Sequence, residues 1–165
     1  MKKLLFLFLI IPLFSFSQGM NNEKLESIYA TVSDSIQGSL GGWQFYIKNI
    51  PIMSITDENH NRMRIISPIA NSNTIGEDLL KAALVANFHT ALDVKYAVSD
   101  GVLWSVFIHP LKELSDDQVK DAVSQVYYAN VNFGTTFAST SLTFPGNISD
   151  KKEKEIDETP KFKKL

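Results

Sequence analysis

The dipeptide Asp100-Gly101 constrains the fold of this chain more than any other feature. It separates two runs rich in apolar and β-branched residues, Val94 to Ser99 and Val102 to Ile108. Both turn residues tolerate positive φ, which a type I′ turn demands, and a two-residue loop sets the register of the strands it joins. Val98 then faces Leu103, Ala97 faces Trp104, and Val94 faces Phe107. Alternation places Val94, Tyr96, Val98, Leu103 and Phe107 on one face of the hairpin, and Ala97, Val102, Trp104, Val106 and Ile108 on the other. Both faces are largely apolar. One should pack on helices. The other needs cover from more of the domain, from a second copy or from a partner. Trp104 is the strongest candidate anchor there, because truncating a buried interface aromatic often costs about 2 kcal/mol or more.

The remaining elements can be placed around this hairpin. Leu25, Ile28, Tyr29, Val32 and Ile36 fall at helical spacing, with Asn21 or Asn22 as cap and Gly38 and Gly41-Gly42 as terminators. A strand-rich stretch follows. Trp43, Phe45 and Ile47 alternate with Gln44, Tyr46 and Lys48; Lys48-Asn49 suits a turn; Ile50 to Thr56 and Arg62 to Ile69 read as two more strands joined by a polar loop. Short connections imply an antiparallel meander. Thr74 and Glu77 have capping-box spacing, ahead of a Leu80, Leu84, Phe88 stripe widened by Ala83 and Asn87. Ser115 and Gln118 form a second capping box, opening a helix whose buried face runs from Val119 through Ala122, Val123, Val126, Tyr127 and Asn130 to Phe133 and Phe137. The expected fold class is α+β: an antiparallel sheet, made of a three-strand meander plus the hairpin, with helices, in the order α-β-β-β-α-β-β-α.

Met1-Lys2-Lys3, the apolar run from Leu4 to Phe14 and Ser15-Phe16-Ser17 have the layout of a secretory signal peptide. The apolar run is shorter than the roughly 20 residues of a spanning helix, and Pro12 interrupts it. Cleavage is therefore expected, with the mature protein starting at Gln18 and no stable membrane span afterwards. Residues 18–149 form one expected domain, and 150–165 a charged tail expected to be disordered. The destination is the periplasm or the outside of a Gram-negative-type bacterium. With 16 Lys+Arg against 18 Asp+Glu, and Lys2 and Lys3 lost on cleavage, the domain is acidic. Nucleic acid is not expected as a partner, because phosphate binding needs a basic stripe. The chain has no cysteine, which removes disulfides, thiol nucleophiles, lipid attachment and Cys-based zinc sites.

No catalytic, cofactor-binding or metal-binding residues are assigned. His60, His89 and His109 lack the spacing of a metal clip, and no Gly-x-Ser-x-Gly elbow marks a nucleophile. Asp57 to Asn61 begins like a calcium loop, but Arg62 and Pro68 stand where Gly and Glu are required. Glu77-Asp78 and Asp116-Asp117 sit in helix first turns, where carboxylates complement the helix dipole. Asn147-Ile148-Ser149 matches a glycosylation sequon that a bacterial-type leader leaves unused. Arg62 and Arg64 are the only arginines. Two apart on one strand, they share a face, and arginine forks suit carboxylates. The alternative is a solvated strand face, with ion pairs to Asp57 or Glu58.

Two stretches carry a family resemblance: Asn61-Arg62-Met63-Arg64-Ile65-Ile66-Ser67-Pro68-Ile69, and Tyr96-Ala97-Val98-Ser99-Asp100-Gly101-Val102-Leu103-Trp104. With the element order around them, the chain resembles the bacterial sensory-transduction-regulator (YbjN-like) family over roughly Glu23 to Phe144. The fold of that family is similar to that of type III secretion chaperones. The resemblance implies a non-enzymatic protein that works through protein contacts, often as a dimer. This chain departs from the chaperone pattern in carrying an export signal. The expected function is protein binding or regulation through the apolar sheet face of Val102, Trp104, Val106 and Ile108, joined by Arg62 and Arg64. The partner is another protein or a second copy. The alternative is a carrier of a lipid-like or aromatic small ligand held between helices and sheet; an enzyme with a dispersed site is a third reading.

Overall fold

The computed structural model describes residues 19–140; the expected signal segment, the sequon at Asn147 and the charged tail lie outside the described residues. The element order is α1 (Asn22–Val32), β1 (Ser35–Ser39), β2 (Gly42–Ile47), β3 (Ile50–Asp57), β4 (Arg62–Asn71), α2 (Glu77–His89), β5 (Lys95–Ser99), β6 (Val102–His109) and α3 (Asp116–Val131). All six strands form one antiparallel sheet in the order β1-β2-β3-β4-β6-β5. The fold class is α+β, as the sequence implies.

The Asp100-Gly101 turn forms with φ of 51° and 75°, and it sets the expected register, Val98 opposite Leu103 and Ala97 opposite Trp104. Lys48 and Asn49 likewise take positive φ between β2 and β3. Ser115 and Gln118 close their capping box at the start of α3. Asn21 caps α1, its side chain accepting from the Lys24 amide.

Three expectations are corrected. The first helix stops at Val32, and Ile36 lies on a strand the sequence reading did not separate. Ser33 Oγ donates to the Tyr29 carbonyl at 2.7 Å and its amide bonds the same oxygen, which ends the helix. Ile36 then pairs with Phe45, and Gly38, at φ 122°, passes so close to Gly42 that a Cβ would sit 2.3 Å from its carbonyl oxygen. Second, Thr74 does not box with Glu77. A 3-10 turn, Ser72–Thr74, intervenes; Thr74 Oγ1 bonds the Asn71 carbonyl, and Gly76 is the cap of α2 without a side-chain bond. Third, the Leu84 and Phe88 part of the α2 stripe faces solvent, Phe88 being 86% exposed, while Ala83 and Ala86 are buried. Asn87 dictates this rotation. Its Oδ1 accepts from the Tyr96 amide at 2.7 Å and its Nδ2 donates to the Tyr96 carbonyl at 3.1 Å, so α2 caps the β5 edge as a strand would. Phe133 and Phe137 lie past the end of α3, their rings packed around Tyr96.

α1 and α3 pack on each other and on the sheet, and α2 meets it at β5. Between helices and sheet, Leu25, Tyr29, Phe45, Ile52, Ile65, Leu103, Val119, Val123 and Val126 are fully buried. Three buried serines on the strands tie the layers together. Ser54 Oγ and Tyr29 Oη lie 2.7 Å apart, Ser105 Oγ donates to the Val126 carbonyl, and Asn130 Nδ2 donates to Ser67 Oγ. Ser67 pairs directly with Ser105, and these small side chains let α3 approach the sheet closely.

Candidate partner-binding face

The opposite face of the sheet is built by the alternate residues of the same strands. Cross-strand register aligns them in rows. Met53 stands beside Ile66, and Ile66 beside Val106. Pro68 stands beside Trp104, and Trp104 beside Ala97. Ile55 stands beside Arg64, and Arg64 beside Ile108. Val102, Trp104 and Val106 are half-buried by one another, whereas Ile55 and Ile108 are 50% and 60% exposed. Among the described residues, no helix covers this face. The Trp104 indole N–H donates to the Ser99 carbonyl at 3.2 Å.

The structure places the six residues expected at the site on this one face, spread along two neighbouring strands: Val102, Trp104, Val106 and Ile108 on β6, and Arg62 and Arg64 at the far end of β4 from Val102. Both arginines are exposed. The anticipated ion pairs to Asp57 or Glu58 are absent among the described residues. Asp57 is opposite Arg62, but its oxygens take the His60 amide at 3.0 Å and the His60 ring at 2.7 Å. Those bonds hold the Asp57 carboxyl below the usual carboxylate range. Arg62 donates instead to the Asn61 carbonyl. A shallow hollow of about 320 Å³ opens between Ile55, Arg62, Arg64 and Ile108. It shares Ile55 with a second hollow of about 420 Å³ over Gly42, between Gln44 and Met53.

The meander half of this face, Met53, Ile55, Ile66 and Pro68, was missed by the sequence reading. The signal was present, since Ile50 to Ile55 is apolar at both alternate sets of positions except at Ser54, like the hairpin with its Ser105. What joins the two halves is the β4–β6 pairing, a long-range contact that no local pattern encodes. The outer side of α2 was missed as well. Leu84 and Val85 join Phe88 on it, exposed.

The other candidates stay structural. His60 holds Asp57, His89 ends α2, and His109 stacks on Phe107 with its ring nitrogen against the Pro110 carbonyl. Glu77, Asp78, Asp116 and Asp117 occupy helix first turns. Among the described residues no group of three or more His, Asp or Glu side chains is placed to hold a metal ion.

No family model matches the chain, and no curated protein matches it. Solved structures do. A chain of the ExsC–ExsE complex is 9% identical, covers 68% of this chain and 92% of its own length, and superposes with a TM-score of 0.53. A chain of the Yersinia pestis type III secretion chaperone SycH in complex with a stable fragment of YscM2 is 13% identical, with 68% and 98% coverage and a TM-score of 0.54. A chain of the HopA1–SchA chaperone–effector complex is 16% identical, with 67% and 94% coverage and a TM-score of 0.49. The likeness to the first two lies in the fold.

Proposed function

We propose that this chain is an exported, non-enzymatic protein-binding domain, a YbjN-like relative with a secretion chaperone-like fold, that holds part of a partner protein against its open sheet face. The observation that carries the reading is the apolar face running from Met53 through Ile66 to Val106 and Trp104, which no helix covers among the described residues, opposite a sheet face filled by helices. The structural neighbours support it, since the SycH structure is one of a chaperone holding a fragment of another protein. Export rests on the signal-peptide layout. Fully buried Leu25, Tyr29, Phe45, Leu103 and Val123 lie between helices and sheet, which favours surface binding over a ligand carried inside.

Self-association is the second reading. It is favoured by α2, whose Leu84 and Phe88 are 67% and 86% exposed beside the capped β5 edge. Native mass spectrometry of the exported protein separates the two. A co-purifying protein that is lost in Trp104→Asp and kept in Phe88→Asp supports the sheet-face reading. A dimer lost only in Phe88→Asp supports self-association through α2. A bare monomer in every variant overturns both.

A further inference from the structure

We infer that the partner segment on the open sheet face is acidic, an extended stretch carrying two carboxylates at i and i+2 with apolar residues at the same spacing on one side of them. The inference rests on the reading of that face as a protein-binding site and adds the chemistry of what binds there.

The argument starts from how charge is distributed. The chain as a whole is acidic, at −2. Its described carboxylates concentrate on helices and loops: Glu23 and Glu26 on α1, Glu77 and Asp78 on α2, Asp116 and Asp117 on α3. On the strands, the open face carries Arg62, Arg64 and Lys95, and one acid, Asp57, whose oxygens are both engaged by His60. An acidic protein thus presents a cationic patch on the apolar sheet face that no described helix covers.

Arg64 is the centre of that patch. Its strand neighbours are Ile55 and Ile108, both exposed, so no carboxylate lies opposite it in the sheet. No ion pair to it exists among the described residues. A guanidinium flanked by two isoleucines becomes desolvated when a partner covers them, and a bidentate carboxylate is the group that then satisfies its planar fork. Complementary charge at such a site selects partners and register more than it adds raw affinity.

The spacing follows from β4 itself. Arg62, Arg64, Ile66 and Pro68 stand on the open face two residues apart, about 6.5 Å per step. An extended segment lying along β4 repeats its own side chains at the same interval. It therefore reads acid-x-acid-x-apolar-x-apolar if parallel to β4 and the reverse if antiparallel, its carboxylates over Arg62 and Arg64 and its apolar residues over Ile66 and Pro68, beside Val106 and Trp104.

A displayed library of random peptides, selected against residues 18–165, tests this. Enrichment of paired acids at i and i+2 next to apolar positions supports it, provided that Arg62→Glu/Arg64→Glu weakens capture about tenfold or more and selects basic residues in their place. Peptides without an acidic bias that still depend on Trp104 overturn the charge inference and leave the binding face standing. Peptides captured equally by Trp104→Asp, with its melting curve unchanged, overturn the face itself. Binding to phosphatidylglycerol vesicles in place of any peptide, lost in Trp104→Asp, overturns the inference in favour of a lipid surface. No enrichment of any kind overturns it as well.

Discussion

Both faces of the sheet carry a block of apolar side chains, yet one is core and the other is surface. The covered face holds Phe45, Ile52, Met63, Ile65, Leu103 and Phe107; the open face holds Met53, Ile55, Ile66, Pro68, Val102, Trp104, Val106 and Ile108. A rule that serine marks the solvent side would choose wrongly here. On β6 the open face is entirely apolar, and Ser105 points inward, fully buried. The difference lies in what each face can accept from a helix. Ser67 and Ser105 are small enough for α3 to approach, and their hydroxyls find Asn130 and the Val126 carbonyl when it does. Trp104 and its neighbours offer no such bonds and would hold a helix further off. Burial of a face is a matter of fit and bonding as well as hydrophobicity.

The comparison breaks first on paired truncations. Phe45→Ala should cost about 3–5 kcal/mol, because a fully buried ring leaves a cavity between α1 and the sheet. Trp104→Ala should cost well under half of that. Urea unfolding of the two variants measures the contrast, and equal losses would show that the outer face is covered in the folded protein.

Alkaline pH sharpens it next. Burial pushes the Tyr96 hydroxyl up to about 12 and the Tyr29 hydroxyl higher still, from an unfolded value near 10. A raised folded pKa stabilises the fold fully below the unfolded pKa, and that stability is lost as pH rises through the folded value. Stability should therefore fall between pH 10 and 12, by on the order of 2 kcal/mol for Tyr96 alone. Melting temperatures across that range should drop less steeply for Tyr96→Phe, although its start is lower for want of the bond to the Ala129 carbonyl.

Asn130→Ala is expected to cost about 1–3 kcal/mol, since it strips partners from Ser67 Oγ and the Pro68 carbonyl beneath α3. Hydrogen exchange should report faster opening of β4 around Ser67. The smallest effect belongs to Phe88→Gln on the outer side of α2, within about 0.5 kcal/mol in dilute protein. A larger loss that grows with protein concentration in the wild type would mark α2 as covered by a second copy.

Local chemistry was legible in the sequence wherever a few adjacent residues decide the outcome. Asp100-Gly101 set the hairpin and its register, and Ser115 with Gln118 set the start of α3. It failed where a competing group, near or far in the chain, takes the bond. Thr74 bonds back to Asn71, so its capping box never forms. Leu84 and Phe88 form a helical stripe that looks like a core face, and Asn87 turns it outward by bonding the β5 edge. Of the candidate site, the β6 residues and the arginine pair were visible, while the Met53 and Ile66 half was not.

By itself, then, the sequence determined strand alternation, turn geometry and the presence of two apolar faces, because each depends on side chains within a few residues of one another. Only the tertiary structure decided which face is filled and which is open. That choice depends on β6 pairing with β4 across the intervening α2 and β5, and on α3 seating over Ser67 and Ser105. These contacts form between residues far apart in the chain, and their energies come from fit and shared hydrogen bonds that no local pattern records.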